Sequence, residues 1–186
     1  MPNDKNIYII SGPSGVGKDT VIKKLNEKLQ NIQIITTVTT RSIRKNEKNN
    51  IDYIFVSESQ FQKLINGNKL IEWSKVYDNY YGVPKDQINN GIENKNNIII
   101  KTDIQGVRKL KNKIKNATTI FIMPPDIKTL LKRLESRKTD SSDEIKKRTQ
   151  IAEEEIKEHV KFDHTIVNHE DKLEKTISNL AEIINT

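Results

Sequence analysis

Apolar residues recur along this chain in two rhythms. The stretches 7–11, 97–102 and 118–123, built on the short apolar runs at 7–10, 98–100 and 120–123, read as strands, and His164-Thr-Ile-Val-Asn168 as a shorter one. Between them the spacing lengthens to that of a helix. Val21, Ile22, Leu25 and Leu29 share one face over 19–30, Leu130, Leu131 and Leu134 mark another helix, and Leu173, Ile177, Leu180, Ala181 and Ile184 make an amphipathic closing helix. Strands alternating with helices predict an α/β fold, a parallel sheet with helices on both faces. No internal repeat is visible.

The segment 34–95 breaks that rhythm. Residues 34–40 and 52–56 are β-prone and are separated by a charged loop over 41–50. Ser57 then caps a helix running to Asn66 and stopped by Gly67; β-prone stretches follow at 69–76 and 79–82, and a Pro84-led helix reaches Gly91. This stretch reads as an inserted substrate-binding subdomain of mixed β and α. Further on, Asp103-Ile-Gln-Gly106 opens a basic helix, residues 137–142 are polar with the character of a lid, and a long charged helix spans 143–160. The expected organisation is a single domain with a core of 1–33, 96–133 and 160–186, an insertion at 34–95 and a helical lid at about 134–159.

Composition narrows the class. With 186 residues the chain is long enough for a substantial core, and its low hydrophobic content, 34%, reflects heavy use of Lys and Asn rather than disorder. The net charge is +7 and the pI near 9.4. Acids interleave with the bases, so a polyanionic small substrate and solvated helix faces account for the charge without nucleic acid, including the dense run at 109–115. There is no cysteine, hence no disulfide or thiol chemistry. No apolar run approaches the roughly 20 residues of a membrane span, and a signal-peptide core is lacking. The expectation is a soluble cytoplasmic protein, or one of an organelle stroma if a transit peptide has been removed, acting as a monomer or homodimer.

Chemistry enters at Ser11-Gly-Pro-Ser-Gly-Val-Gly-Lys18, where the first apolar run breaks into glycines and then becomes helical. Gly12, four residues, Gly17 and Lys18 have the spacing of a P-loop. The loop Gly12, Pro13, Ser14, Gly15, Val16 and Gly17 can curl round an anion with its backbone N–H groups, Pro13 alone having none to offer, and Lys18 can reach terminal phosphates. The next position, where a hydroxyl would ligate Mg²⁺, is Asp19. The hydroxyl comes one later, at Thr20, turned away by a helical step of about 100°. A P-loop alone indicates only nucleoside triphosphate binding.

Further motifs sharpen this. Thr39-Thr-Arg-Ser-Ile-Arg44, Asp52-Tyr53, Ile71-Glu-Trp73, Asn79-Tyr-Tyr-Gly82, Asp103-Ile-Gln-Gly106, Lys132-Arg-Leu-Glu-Ser-Arg137 and Ile166-Val-Asn168 follow in order. With the P-loop they make the chain resemble a guanylate kinase from the loop nearly to the C-terminus. The resemblance implies a P-loop NTPase sheet with a GMP-binding insertion and a lid, and transfer of the γ-phosphate of ATP to GMP, and by extension dGMP, with Mg²⁺. It implies that Arg41 and Arg44 hold the GMP phosphate with Tyr53 and Tyr81, that Thr37, Glu72 and Asp103 face guanine, that Arg133, Arg137 and Arg148 close on the transferring group with the lid, and that Asn168 lies near adenine. The chemistry suits these roles. Guanidinium forks match a phosphate dianion, and a carboxylate at Glu72 matches the adjacent N1–H and N2 amine donors of guanine, which adenine lacks.

Two departures from the family pattern stand out. Asp19 replaces the usual hydroxyl residue and Lys101 the usual acid two before Asp103, an exchange that takes the local charge sum from about −1 to zero; Asp19 is then the expected Mg²⁺ ligand, direct or through water. Val83 follows Tyr-Tyr-Gly where a hydroxyl usually touches guanine, so one base contact is missing. Plainer readings compete elsewhere. Trp73 and Tyr80 are expected as core packing, Tyr53 and Tyr81 would be ordinary strand aromatics without the family match, and Arg133 and Arg137 could pair with Glu135 and Glu144. His159, His164 and His169 show no metal spacing. The alternatives are another P-loop phosphotransferase, such as the ribosyl-bisphosphate kinase of phosphonate metabolism, which has no guanine to read, and a non-catalytic guanylate-kinase-like module, whose phosphate loop is lost.

Overall fold

The computed structural model describes residues 7–76, 78–94, 96–136 and 142–185. The chain divides into two compact units, one of Met1–Ile9 with Asn31–Ala117 and one of Ile10–Gln30 with Thr118–Thr186. A parallel central sheet has the strand order β2-β7-β1-β8-β9, and the division falls within its middle strand, β1 (Ile7–Ser11), buried along its whole length.

In the second unit, β1 turns through the glycine-rich loop into α1 (Lys18–Lys28), whose Val21, Ile22 and Leu25 are buried as the spacing predicts. β8 (Thr118–Met123) pairs in parallel with β9 (His164–Val167), Ile120 opposite His164 and Met123 opposite Val167. α5 (Ile127–Ser136) buries Leu130 and Leu134, and α6 (Ser142–Lys157) follows. The closing helix α7 (Leu173–Asn185) buries Ile177, Leu180, Ala181 and Ile184 and packs against α1, where Lys28 donates to Ser178 Oγ at 2.9 Å.

In the first unit, β2 (Ile32–Ile35) pairs in parallel with β7 (Asn97–Lys101). A second sheet holds β3 (Val38–Thr39), β4 (Ile54–Phe55), β5 (Leu70–Val76) and β6 (Asn79–Pro84) in the order β4-β3-β6-β5. Val38, Phe61 and Leu70 form its small core, with Phe61 stacked on Tyr80 at 5.4 Å between ring centres. The covering helices are α2 (Glu58–Asn66), α3 (Lys85–Glu93) and α4 (Ile104–Lys113). Ser57 and Gln60 close a capping box at the start of α2, and Gly67 follows its last turn, as read from the sequence.

Three features differ from the sequence reading. The run 34–40 is not one strand: the main chain leaves β2 after Ile35 and joins the other sheet at Val38, and the gap is secured by Gln87, which accepts from Thr36 N at 2.8 Å and donates to Thr36 O at 3.3 Å. Gly91 does not stop its helix, which runs on to Glu93; a Cβ there would lie 2.8 Å from Ile98 Cγ1, so this glycine serves close packing of α3 on β7. Trp73 is not a core residue. It is 39% exposed because it alternates along β5 with the inward-facing Glu72 and Ser74. Tyr80, by contrast, does pack against the small core.

Candidate functional site

The phosphate loop belongs to the second unit and owes its path to three glycines with positive φ: Gly12 at 149°, Gly15 at 90° and Gly17 at 96°. At Gly12 a side chain is excluded twice over, since a Cβ would also sit 2.2 Å from the Ile122 carbonyl oxygen of β8. Val16 N closes a turn onto Pro13 O at 3.2 Å. Lys18 extends back over the loop, its ammonium donating to the Gly12 and Pro13 carbonyls. Asp19 and Thr20 stand exposed in the first turn of α1, where a carboxylate also complements the helix dipole.

Arg133, on α5, turns away from the pairing with Glu135 that the plainer reading allowed; the Glu144 side chain lies outside those described. The Arg133 guanidinium donates to Val16 O at 3.1 Å and Asn168 O at 3.2 Å, tying α5 and the end of β9 to the loop. The Asn168 amide donates to the same Val16 oxygen at 2.8 Å, while its own Oδ1 is buried without a hydrogen-bond partner. Gly15, Gly17, Thr20, Arg133 and Asn168 share the wall of a pocket of about 330 Å³. Arg148, on α6, reaches Ser14 Oγ at 3.4 Å. Arg137 lies outside the described residues.

The first unit carries the arginine pair. Arg41 Nη2 meets Glu47 Oε1 at 2.8 Å and its Nη1 donates to Ser42 O at 2.7 Å, while the guanidinium carbon lies 5.4 Å from the Tyr53 ring centre and 5.6 Å from that of Phe55. Arg44 donates its main-chain N–H to Glu47 Oε2 at 2.9 Å, with its guanidinium 3.9 Å from Oε1. Burial alone would lower the Arg41 pKa and raise that of Glu47. Their mutual hydrogen bond reverses both, so Arg41 is raised and Glu47 lowered. Tyr53 and Tyr81 meet edge to face at 6.2 Å, and the Lys101 ammonium lies 4.0 Å from the Tyr53 ring centre.

Beside these lies a buried polar wall. Thr37 is 3% exposed and donates to Lys101 O at 3.1 Å. Asp103 caps α4, accepting at Oδ1 from Gln105 N and Gly106 N, and accepts at Oδ2 from Ser74 Oγ at 2.6 Å. Glu72 is 2% exposed and neither oxygen has a hydrogen-bond partner. Burial first, then the Asp103 charge, pushes its pKa up to about 7, against the opposing pull of Lys109 and Lys113. Val83, the β6 partner of Glu72, is fully buried and puts an apolar side chain where the family pattern has a hydroxyl.

Two contributors escaped the sequence reading. Ser74 shares the inward face of β5 with Glu72, a period-two relation visible once the strand is known. Glu47 lay unremarked in the charged loop, though its three-residue spacing from Arg44 was a usable signal. The run 109–115, expected as a plain solvated face, is partly engaged: Lys109 donates to Trp73 O, Lys113 to Ile71 O and Lys111 to Ala117 O. Among the described residues no cluster of three His, Cys, Asp or Glu could cage a metal. Among them, too, no helix is long and apolar enough to cross a membrane.

Comparison with known proteins follows the same lines. The family model for guanylate kinase matches residues 4–186. A guanylate kinase of Caldanaerobacter subterraneus subsp. tengcongensis is 37% identical over 178 residues, 96% of this chain and 85% of that protein. The crystal structure of guanylate kinase from Anaplasma phagocytophilum superposes with a TM-score of 0.79 at 30% identity, over 96% of this chain and 84% of that one. Shikimate kinase from Bacteroides thetaiotaomicron gives 0.50 at 15% identity over 97% and 99%, a likeness of fold alone.

Proposed function

The chain belongs to the guanylate kinase family and is an ATP:GMP phosphotransferase, and from that premise we propose how its residues divide the work. The loop Gly12, Pro13, Ser14, Gly15, Val16, Gly17 and Lys18 receives the ATP phosphates, with Thr20 and Asn168 toward the nucleoside. Arg133 and Arg148, with Arg137, neutralise charge on the transferring group as a lid of about 134–159 closes. Residues 34–95 form the GMP-binding insertion. There Arg41, Arg44, Tyr53 and Tyr81 take the phosphate, while Thr37, Glu72, Val83 and Asp103 surround the base. Positioning and charge neutralisation are what phosphoryl transfer chiefly asks of a protein, and lid closure keeps water from the γ-phosphate.

The observation that carries the choice of acceptor is the buried Glu72 carboxylate with both oxygens unbonded. Guanine offers two adjacent donors to such a group. Adenine offers a lone pair instead, at a cost of about 1–3 kcal/mol for the unmatched buried acceptor. A ribose bisphosphate offers no base at all.

Mg²⁺ fits this donor set. A hard cation that keeps waters and phosphate oxygens needs only one or two protein oxygens, and Asp19 supplies an exposed carboxylate next to the phosphate-binding lysine. When bound, the ion supplies charge neutralisation at the phosphates. The setting is cytoplasmic, with ATP and GMP as the small-molecule partners. The test is a coupled assay with ATP, Mg²⁺ and GMP, dGMP, AMP, UMP or ribose bisphosphate as acceptor: turnover is expected with GMP and at least detectably with dGMP, and folded protein that leaves GMP untouched refutes the reading.

A further inference from the structure

A buried carboxylate whose oxygens have no hydrogen bonds strongly resists ionisation, and a second carboxylate nearby adds to the resistance. Glu72 is in that position beside Asp103, yet an acceptor of two hydrogen bonds from guanine has to be charged. The compensation comes from α4. Lys109 and Lys113, one turn apart, donate to the main-chain oxygens of Trp73 and Ile71, the two residues that flank Glu72 in sequence. Among the described residues β5 is the outermost strand of its sheet, paired only with β6, so these lysines cap carbonyls on an open edge. The Lys109 ammonium is thereby fixed 3.8 Å from Glu72 Oε1 and 5.5 Å from the centre of the Trp73 ring.

We propose that Lys109, supported by Lys113, is a positioning and specificity-determining residue for the nucleotide base, holding Glu72 charged and aimed so that it accepts both donors of the guanine edge. The inference rests on the reading of Glu72 as the guanine acceptor. Lys109 itself touches neither substrate nor reacting atoms; it acts through Glu72. The groups around that carboxylate are few. Asp103, Lys109 and Lys113 come from α4 and its cap, Gly106 lies against Oε2 beside the Thr102 hydroxyl, and β6 presents the apolar Val83. The two lysines are the cations that oppose burial and Asp103 at this site, and the pKa near 7 leaves little margin at neutral pH.

The experiment is a pH series of steady-state kinetics from about 6 to 8.5 on the full chain, comparing the parent with Lys109→Met, Lys109→Arg and Glu72→Gln, alongside melting temperatures. Titrations of GMP itself are common to all proteins and cancel at each pH. Lys109→Met is expected to move the pH midpoint of KM for GMP upward by about one unit, raising KM about fivefold near pH 7 and much less near pH 8.5. The loss should fall on KM rather than on kcat at saturating GMP, and Lys109→Arg should restore the parent profile. An edge cap with only a structural role would lower the melting temperature of Lys109→Met and leave the midpoint where it was, which overturns the proposal. Glu72→Gln separates the two levels. If it abolishes the preference for GMP over AMP while Lys109→Met shifts nothing, only the role of Lys109 fails; if it leaves the preference intact, the reading of Glu72 fails and the proposal falls with it.

Discussion

With guanine bound at Glu72 as proposed, that residue would answer two demands that pull in opposite directions, since a charge suited to the base is a charge buried in the folded protein. Its pKa is raised to about 7, well above the unfolded range. Between about pH 4.5 and 7 the folded state therefore holds a proton that the unfolded chain has released, so stability falls as pH rises through that window and the loss is complete above it. Glu72→Gln removes the penalty. The variant is expected to be about 1–3 kcal/mol more stable than the parent at pH 8, with little difference at pH 4.5, and urea denaturation at the two pH values checks this. An equal effect at both would show that the carboxylate is not the titrating group.

At the scale of elements, local signals suffice where a segment's own side chains complete it. α2 is such a case: Ser57 Oγ accepts from Gln60 N at 3.2 Å and Gln60 Oε1 accepts from Ser57 N at 2.8 Å. Ser57→Ala is expected to cost about 1 kcal/mol and to lower the melting midpoint by about 2–4 °C for a chain of this size, as measured by circular dichroism. The α/β alternation, the glycine-rich loop, this cap and the buried faces of α1 and α7 were all legible for the same reason, that periodicity and short-range chemistry decide them. What stayed hidden depends on partners distant in sequence. Gly91 reads as a stop until Ile98 is seen to fill the space a Cβ would need. Nor does anything local say that Gln87 secures the break after Ile35, or that Arg133 turns to main-chain oxygens of the loop and of Asn168. Lys109 and Lys113 read as a solvated face because the open edge of β5 that they cap belongs to another element. The candidate site was legible in its residue types, through the family motifs, and much less so in how each side chain is held.

Across the whole molecule, charge is the property that individual motifs do not convey. Asp19 and Lys101 replace a hydroxyl and an acid, and the exchange takes their charge sum from about −1 to zero. If the two act as one charge unit, Asp19→Ser and Lys101→Glu should each reduce kcat/KM while the double variant recovers part of the loss, a coupling of about 1 kcal/mol or more in a double-mutant cycle; strictly additive losses would separate them.

The net charge of +7 would draw any nucleotide toward the protein and make its capture strongly dependent on salt. The arginine pair is an exception, because Glu47 lies against both Arg41 and Arg44. With the GMP phosphate at Arg41 and Arg44 as proposed, the pair would behave as an ion-exchange site supplied loaded with its own counter-ion: an arriving phosphate would replace a resident carboxylate, and the change in local charge on binding would be smaller than two bare arginines would give. KM for GMP should accordingly climb less steeply with KCl in the parent than in Glu47→Gln, where the arginines are left for chloride to occupy. On that reading Glu47 would be a tethered competitor, admitting the phosphate dianion while turning away the weaker anions of the surrounding solution.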